Sequence, residues 1–208
     1  MSQRALSAAV MLEVLVLAAV LFGCGQQSST VEEQEQASER SQPAASRPKA
    51  PAGVENIDVG PAGYHVVGNV DYEQDLGTPP AGGPHNDVWQ NCGFYDDPVR
   101  DENAVHSLEH GAVWITYLPD LPQDEIEVLR ALAEINGYVL VSPYPDQNSP
   151  VVATAWGKQL SLERAEDPAL EQFVGAYSHN PKAPGPASAT ATAGGGHDTC
   201  TGGTGRPQ

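Results

Sequence analysis

The densest chemistry in the chain is the pentapeptide His106-Ser107-Leu108-Glu109-His110. On a helix each residue turns by about 100°. His106, Glu109 and His110 then share one arc, while Ala104, Val105 and Leu108 share the opposite one. Histidines four apart lie one above the other on a helix face, so both rings can reach one ion. Three further residues join them. His85 follows Gly82-Gly83-Pro84, a stiff turn that would fix its position. Cys92 lies seven residues on, and His65 sits in a short stretch with strand character. Imidazole and thiolate together suit zinc or copper. The sequence therefore points to His85, His106, His110, Cys92 and His65 as ligands, with Glu109 as an outer partner or base.

The same pentapeptide has the spacing of the inverted zinc-peptidase motif, where the histidines hold zinc and the Glu activates water. Here Gly111 and a strand follow at once, which is not the context of those larger domains. Three functions stay open on the residues alone. One is a module that binds copper or zinc. Another is a metal-dependent hydrolase with Glu109 as general base, or an enzyme with Cys92 as nucleophile. The last is a non-catalytic envelope interaction domain whose histidines only hydrogen-bond. Methionine occurs only at Met1 and Met11, which argues against a methionine-rich cuprous carrier.

These residues need a scaffold, and the coarse elements are readable. Residues 64–70 form a weak strand candidate, and residues 76–97 are irregular. Asp101 can cap a short helix that Gly111 ends. Strands are expected over residues 111–117, 138–142, 151–156 and 158–162. Pro122 opens a helix whose stripe is Ile126, Leu129, Leu132 and Ala133, and Gly137 stops it. A last helix covers residues 167–177, with Pro168 in its first turn. Trp114 and Trp156 lie in strand candidates and should be buried. The class is α+β, one small domain with an antiparallel or mixed sheet and two to three helices.

Composition limits partners. The chain of 208 residues has 27 acidic and 10 basic side chains, a net charge of −17. Such a balance disfavours nucleic acid, whose phosphates require Lys and Arg. With three cysteines no disulfide framework is indicated, although Cys92 and Cys200 could pair. Residues 14–22 are an apolar run too short to span a bilayer, with Arg4 before it, as in a signal peptide. Leu21-Phe22-Gly23-Cys24 resembles the bacterial lipobox, which is cut before a cysteine that then carries lipid. This resemblance implies a leader over residues 1–23 and an extracytoplasmic protein anchored to a membrane by lipid on Cys24. An uncleaved N-terminal anchor would leave the domain on the same side. Residues 24–53 lack apolar period and read as a flexible tether. The folded unit is residues 54–180, and residues 181–208 read as a Gly/Pro/Thr-rich disordered tail.

The unit also resembles a known family. His65-Val66, Pro79-Pro80, Gly83-Pro84-His85, Trp89, Cys92-Gly93, Tyr95, Pro98-Val99 and His106 through Gly111 carry the likeness. It continues through Tyr117, Pro119, Pro143, Pro145 and Thr154-Ala155-Trp156-Gly157. The family is the bacterial domain-of-unknown-function family numbered 3105. The resemblance implies a single domain behind an N-terminal anchor, and no activity.

The anchor has a direct test. Cys24→Ser should abolish lipidation and leave the leader uncut, read by mass spectrometry of the membrane fraction. An unlipidated wild type with its leader intact would remove the anchor.

Overall fold

The computed structural model describes residues 47–72, 77–179, 183–184 and 200–208. The leader, Cys24 and most of the tether lie outside the described residues. Among the described residues six strands and three helices follow in chain order. They are β1 (Glu55–Asn56), β2 (Gly93–Phe94), α1 (Asp101–Glu109), β3 (Val113–Tyr117) and α2 (Gln123–Ile135). Then come β4 (Val139–Pro143), β5 (Val151–Ala155), β6 (Lys158–Leu162) and α3 (Pro168–Tyr177). The strands make one mixed sheet in the order β1-β6-β5-β3-β4-β2. β4 pairs in parallel with both β3 and β2, and the other pairings are antiparallel. The class is α+β, as the sequence indicated.

The three central strands, β3, β4 and β5, are buried at every residue. Side chains alternate across a strand, so each of these runs serves two faces. Val113, Ile115, Val139, Val141, Val151 and Ala153 pack against Leu129 of α2 and Phe173 of α3. Trp114 and Leu140 point the other way, toward Ala104 and Leu108 of α1. That second face also carries Thr116, Ser142 and Thr154, all fully buried. Their polar groups are satisfied inside: the Trp114 indole N–H donates to Ser142 Oγ at 3.0 Å, and Gln159 Nε2 donates to Thr154 Oγ1 at 3.1 Å. Apolar packing is thus concentrated under α2 and α3, and polar accommodation under α1.

Local signals placed most boundaries. Pro122 precedes α2, and Asp167 caps α3 by accepting from the Ala169 N–H at 2.8 Å. Gly111, at φ 90°, ends α1 with its N–H on the Leu108 carbonyl. Asp101 does not cap α1; the cap position is Arg100, which makes no side-chain cap bond. Residues 64–70 are not a strand. Only His65 pairs, in a parallel bridge with His85. Trp114 is fully buried and Trp156 only half-buried.

The largest departure is at the end of the chain. Residues 200–208, read from composition as tail, lie on the domain. Cys200 is disulfide-bonded to Cys92 across 108 residues. The Cys200 N–H donates to the Gly137 carbonyl and the Gln208 N–H to the Phe94 carbonyl. Gly and Thr content signals weak local preference, but a covalent bond and backbone pairing need no apolar side chains. Among the described residues no helix is long and apolar enough to cross a membrane.

Leu129 is fully buried between α2 and the sheet. Leu129→Ala should lower the unfolding free energy by about 2–5 kcal/mol in urea titrations. A change below about 0.5 kcal/mol would contradict the packing, since that is the range of surface substitutions.

Candidate metal centre

Residues Glu102 to Glu109 of α1 are all buried. The arc bearing His106 and Glu109 therefore does not face water; residues 63–70 and 85–90 cross over it. Several backbone bonds hold the crossing segment in place. The Asn86 N–H donates to the Glu102 carbonyl, and the Gln90 N–H to the Asn103 carbonyl. Ser107 Oγ donates to the Gln90 carbonyl at 2.7 Å, and Asn103 Nδ2 donates to the Val88 carbonyl.

His85 arrives on this segment from a turn built on glycine. Gly82 and Gly83 have φ 150° and 101°, a region that side chains rarely adopt. A Cβ on Gly82 would also lie 2.8 Å from the Val59 side chain. The turn does more than aim the ring. His85 Nδ1 lies 2.8 Å from the Gly83 carbonyl oxygen, which can only accept, so Nδ1 carries the hydrogen. His106 repeats the arrangement, with Nδ1 2.7 Å from the Asn86 carbonyl. In the neutral form both rings therefore carry the lone pair on Nε2, which in His85 faces Glu109 Oε2 at 3.3 Å and in His106 faces His110 Nε2 at 2.9 Å. A carbonyl on the far nitrogen is the usual support of a metal-binding histidine.

His65 is brought in by the bridge to His85: the Val66 N–H donates to the His85 carbonyl, and the His85 N–H to the Tyr64 carbonyl. The ring of His65 lies 4.9 Å from those of both His85 and His106, centroid to centroid. Glu109 completes the group. Its Oε1 accepts from the Gly63 N–H at 2.5 Å, and its Oε2 lies 3.3 Å from His85 Nε2 and 3.9 Å from His65 Nε2. One ligand atom from each of His65, His85, His106 and Glu109 falls within 4.8 Å of all the others. Ligands about 2.0–2.1 Å from a tetrahedral ion are about 3.3 Å apart, so closure requires the widest pair to contract by up to about 1.5 Å.

The candidate residues divide as follows. His65, His85 and His106 come together. Glu109, expected as an outer partner or base, is inside the cluster. His110 lies on the far side of His106, its Nε2 2.9 Å from His106 Nε2, and is outside the group of four. The His106 Nδ1–H already donates to Asn86, so in the neutral pair the shared hydrogen belongs to His110. Cys92 is not a ligand here. Its sulfur is bonded to Cys200, and a disulfide sulfur is not a thiolate. The residues that sequence reasoning missed act mainly through the backbone: Gly63, by its amide, and Asn86, by its carbonyl. Carbonyls and amides leave no trace in residue type. Trp89, beside His106 and His110 at 5.7 and 5.1 Å between ring centroids, was visible only within the family resemblance.

The cluster is buried at three members and open at the fourth. His85, His106 and Glu109 are buried, while the His65 side chain is 43% exposed. One side of the group can thus be reached from solvent.

The chain belongs to the family described as protein of unknown function (DUF3105), whose model matches residues 65–193. No curated protein and no solved structure matches. The family carries no assigned activity, so the site rests on its own geometry. All four clustered residues lie within the matched span.

Burial away from water pushes the His106 ring down from 6.5 to about 4, against the hydrogen bond to Asn86 and with added repulsion from His110, His85 and His65. Between about pH 6.5 and pH 4 the unfolded chain therefore binds a proton at His106 that the folded one does not. Stability of the metal-free domain should be full above pH 6.5 and fall as the pH drops toward 4, by about 3 kcal/mol at most. Denaturant titrations at pH 7 and 4.5 should show the loss, and it should be smaller in His106→Asn. An NMR titration placing the His106 midpoint at or above the ordinary histidine value would contradict this.

Proposed function

We propose that the protein is a membrane-tethered, extracytoplasmic domain that binds a transition-metal ion, copper or zinc, through His65, His85, His106 and Glu109. One observation supports this most directly. His85 is fully buried, yet its Nε2 has no hydrogen-bond partner. It lies 3.3 Å from Glu109 Oε2 without the geometry of a hydrogen bond. A buried polar atom without a partner costs about 1–3 kcal/mol, and coordination would remove that cost.

The donor set narrows the ion. Three imidazoles and one carboxylate, with no thiolate or thioether among them, suit zinc or cupric ion better than cuprous ion. His65, His85 and His106 would supply nitrogen and Glu109 oxygen. The His106 lone pair that an ion needs is engaged by His110, so loading must exchange that hydrogen bond for coordination. A Glu109 held as a ligand is not free to act as general base, which removes the residue that a hydrolase reading requires. The tether and the lipid on Cys24 supply the address, and the acidic surface is compatible with attracting cations.

The test uses the full-length chain in detergent without a polyhistidine tag, equilibrated with zinc or cupric ion and freed of excess. Metal analysis should find about one ion per chain, as expected of a single closed site. His85→Ala and His106→Ala should each lose nearly all of it, while His179→Ala should retain it. Equal loading of the wild type and His85→Ala would overturn the assignment.

A further inference from the structure

The disulfide excluded Cys92 from the metal cluster, but it connects to the cluster by another route. Residues 200–208 run alongside the segment that crosses α1. The Asn91 N–H donates to the Thr204 carbonyl and the Thr204 N–H to the Trp89 carbonyl, both at 2.9 Å. The Cys92 N–H donates to the Cys200 carbonyl. Asn91 also grips the strap with its side chain, donating to the Gly205 carbonyl at 2.8 Å and accepting from the Gly203 N–H at 2.8 Å. The fit at Gly203 is tight: a Cβ there would lie 2.2 Å from the Trp89 carbonyl oxygen and 2.3 Å from Trp89 Cδ1. Trp89 in turn contacts the rings of His106 and His110. Gln90, the next residue, is held to α1 by Ser107.

We propose that the Cys92–Cys200 disulfide is a redox-sensitive latch on the histidine site, which keeps residues 200–208 pressing Trp89 onto His106 and His110. The proposal rests on the metal-binding reading above. Strap residues 202, 203 and 205 are glycines and residue 204 is a threonine, so the strap has almost no apolar side chain of its own. Its attachment depends on backbone pairing and on the covalent bond. A dithiol reductant would open the latch by thiol–disulfide exchange. One reductant thiolate attacks a cystine sulfur and forms a mixed disulfide, and the second reductant thiol resolves it. The reductant leaves as its disulfide, and two electrons and two protons remain as the thiols of Cys92 and Cys200. The strap then loses its covalent hold, Trp89 is no longer backed by Gly203, and the wall beside His106 loosens.

The experiment avoids reductants, which themselves bind metals. The full-length chain in detergent, Cys92→Ala/Cys200→Ala, and Gly203→Ala are compared in two measurements. Gly203→Ala keeps the disulfide and pushes the strap off Trp89, so it separates release of the strap from any failure of the cysteine variant to fold. Hydrogen exchange at Asn91 and Thr204 should be slow in the parent and fast in both variants. Affinity for zinc or cupric ion should fall about tenfold in both, the usual scale for losing the support of a ligand. Unchanged affinity in Gly203→Ala, with the parent binding normally, would overturn the latch and leave the metal site standing. Unchanged amide exchange would overturn it irrespective of metal. A parent that holds no ion would sink the metal reading and the latch with it.

Discussion

The structure depends on a constraint at α1. This helix is buried on both sides, and one side is polar. Ala104 and Leu108 bind it to Trp114 and Leu140, as for any amphipathic helix. The opposite arc holds His106, Ser107 and Glu109, which cannot be removed from water unless partners meet them. Those partners are backbone groups of the two stretches packed over it, residues 63–70 and 85–90: the Asn86 and Gln90 carbonyls and the Gly63 amide. The order of these stretches comes from the contacts they make with these side chains.

The sheet allows this arrangement. Its central strands bury both faces, but the faces differ in chemistry. The one under α2 and α3 is apolar and supplies most of the hydrophobic burial. The one under α1 mixes Trp114 and Leu140 with Thr116, Ser142 and Thr154, whose hydroxyls bind neighbouring side chains or backbone. A polar site of several titratable residues can be held above such a face because stability is secured on the other side. The parallel strands β3 and β4, joined through α2, carry that burden.

The site and the disulfide are two consequences of one crossing segment. Residues 83–92 present His85 at one end and Cys92 at the other, with the Asn86 carbonyl and Trp89 between them. Any force applied at Cys92 reaches the histidines through a few backbone bonds. A cluster whose closure needs a contraction of up to about 1.5 Å is sensitive to such small displacements. The exposed edge at His65 leaves one side open to solvent, while the strap backs the other.

The sequence by itself determined what depends on local periodicity. Pro122, Asp167 and Gly111 set helix ends, the strands read as short β-branched runs, and the histidine arc of α1 follows from its spacing. The stiff Gly-Gly-Pro turn before His85 was equally legible. Only the tertiary structure decided which groups meet. His65 reached the site through a backbone bridge to a residue 20 positions away, and no side-chain pattern encodes such a bridge. Glu109 entered the cluster because residues 63–65 fold over it, and His110, on the same arc, was left to one side of His106. Cys92 looked like a ligand beside histidines and became half of a disulfide, because a chain end of glycine and threonine reached across the domain. Helical and strand periods arise from neighbours along the chain. Ligand sets and disulfides arise from groups far apart in sequence, and only the packing of all elements together brings those into reach.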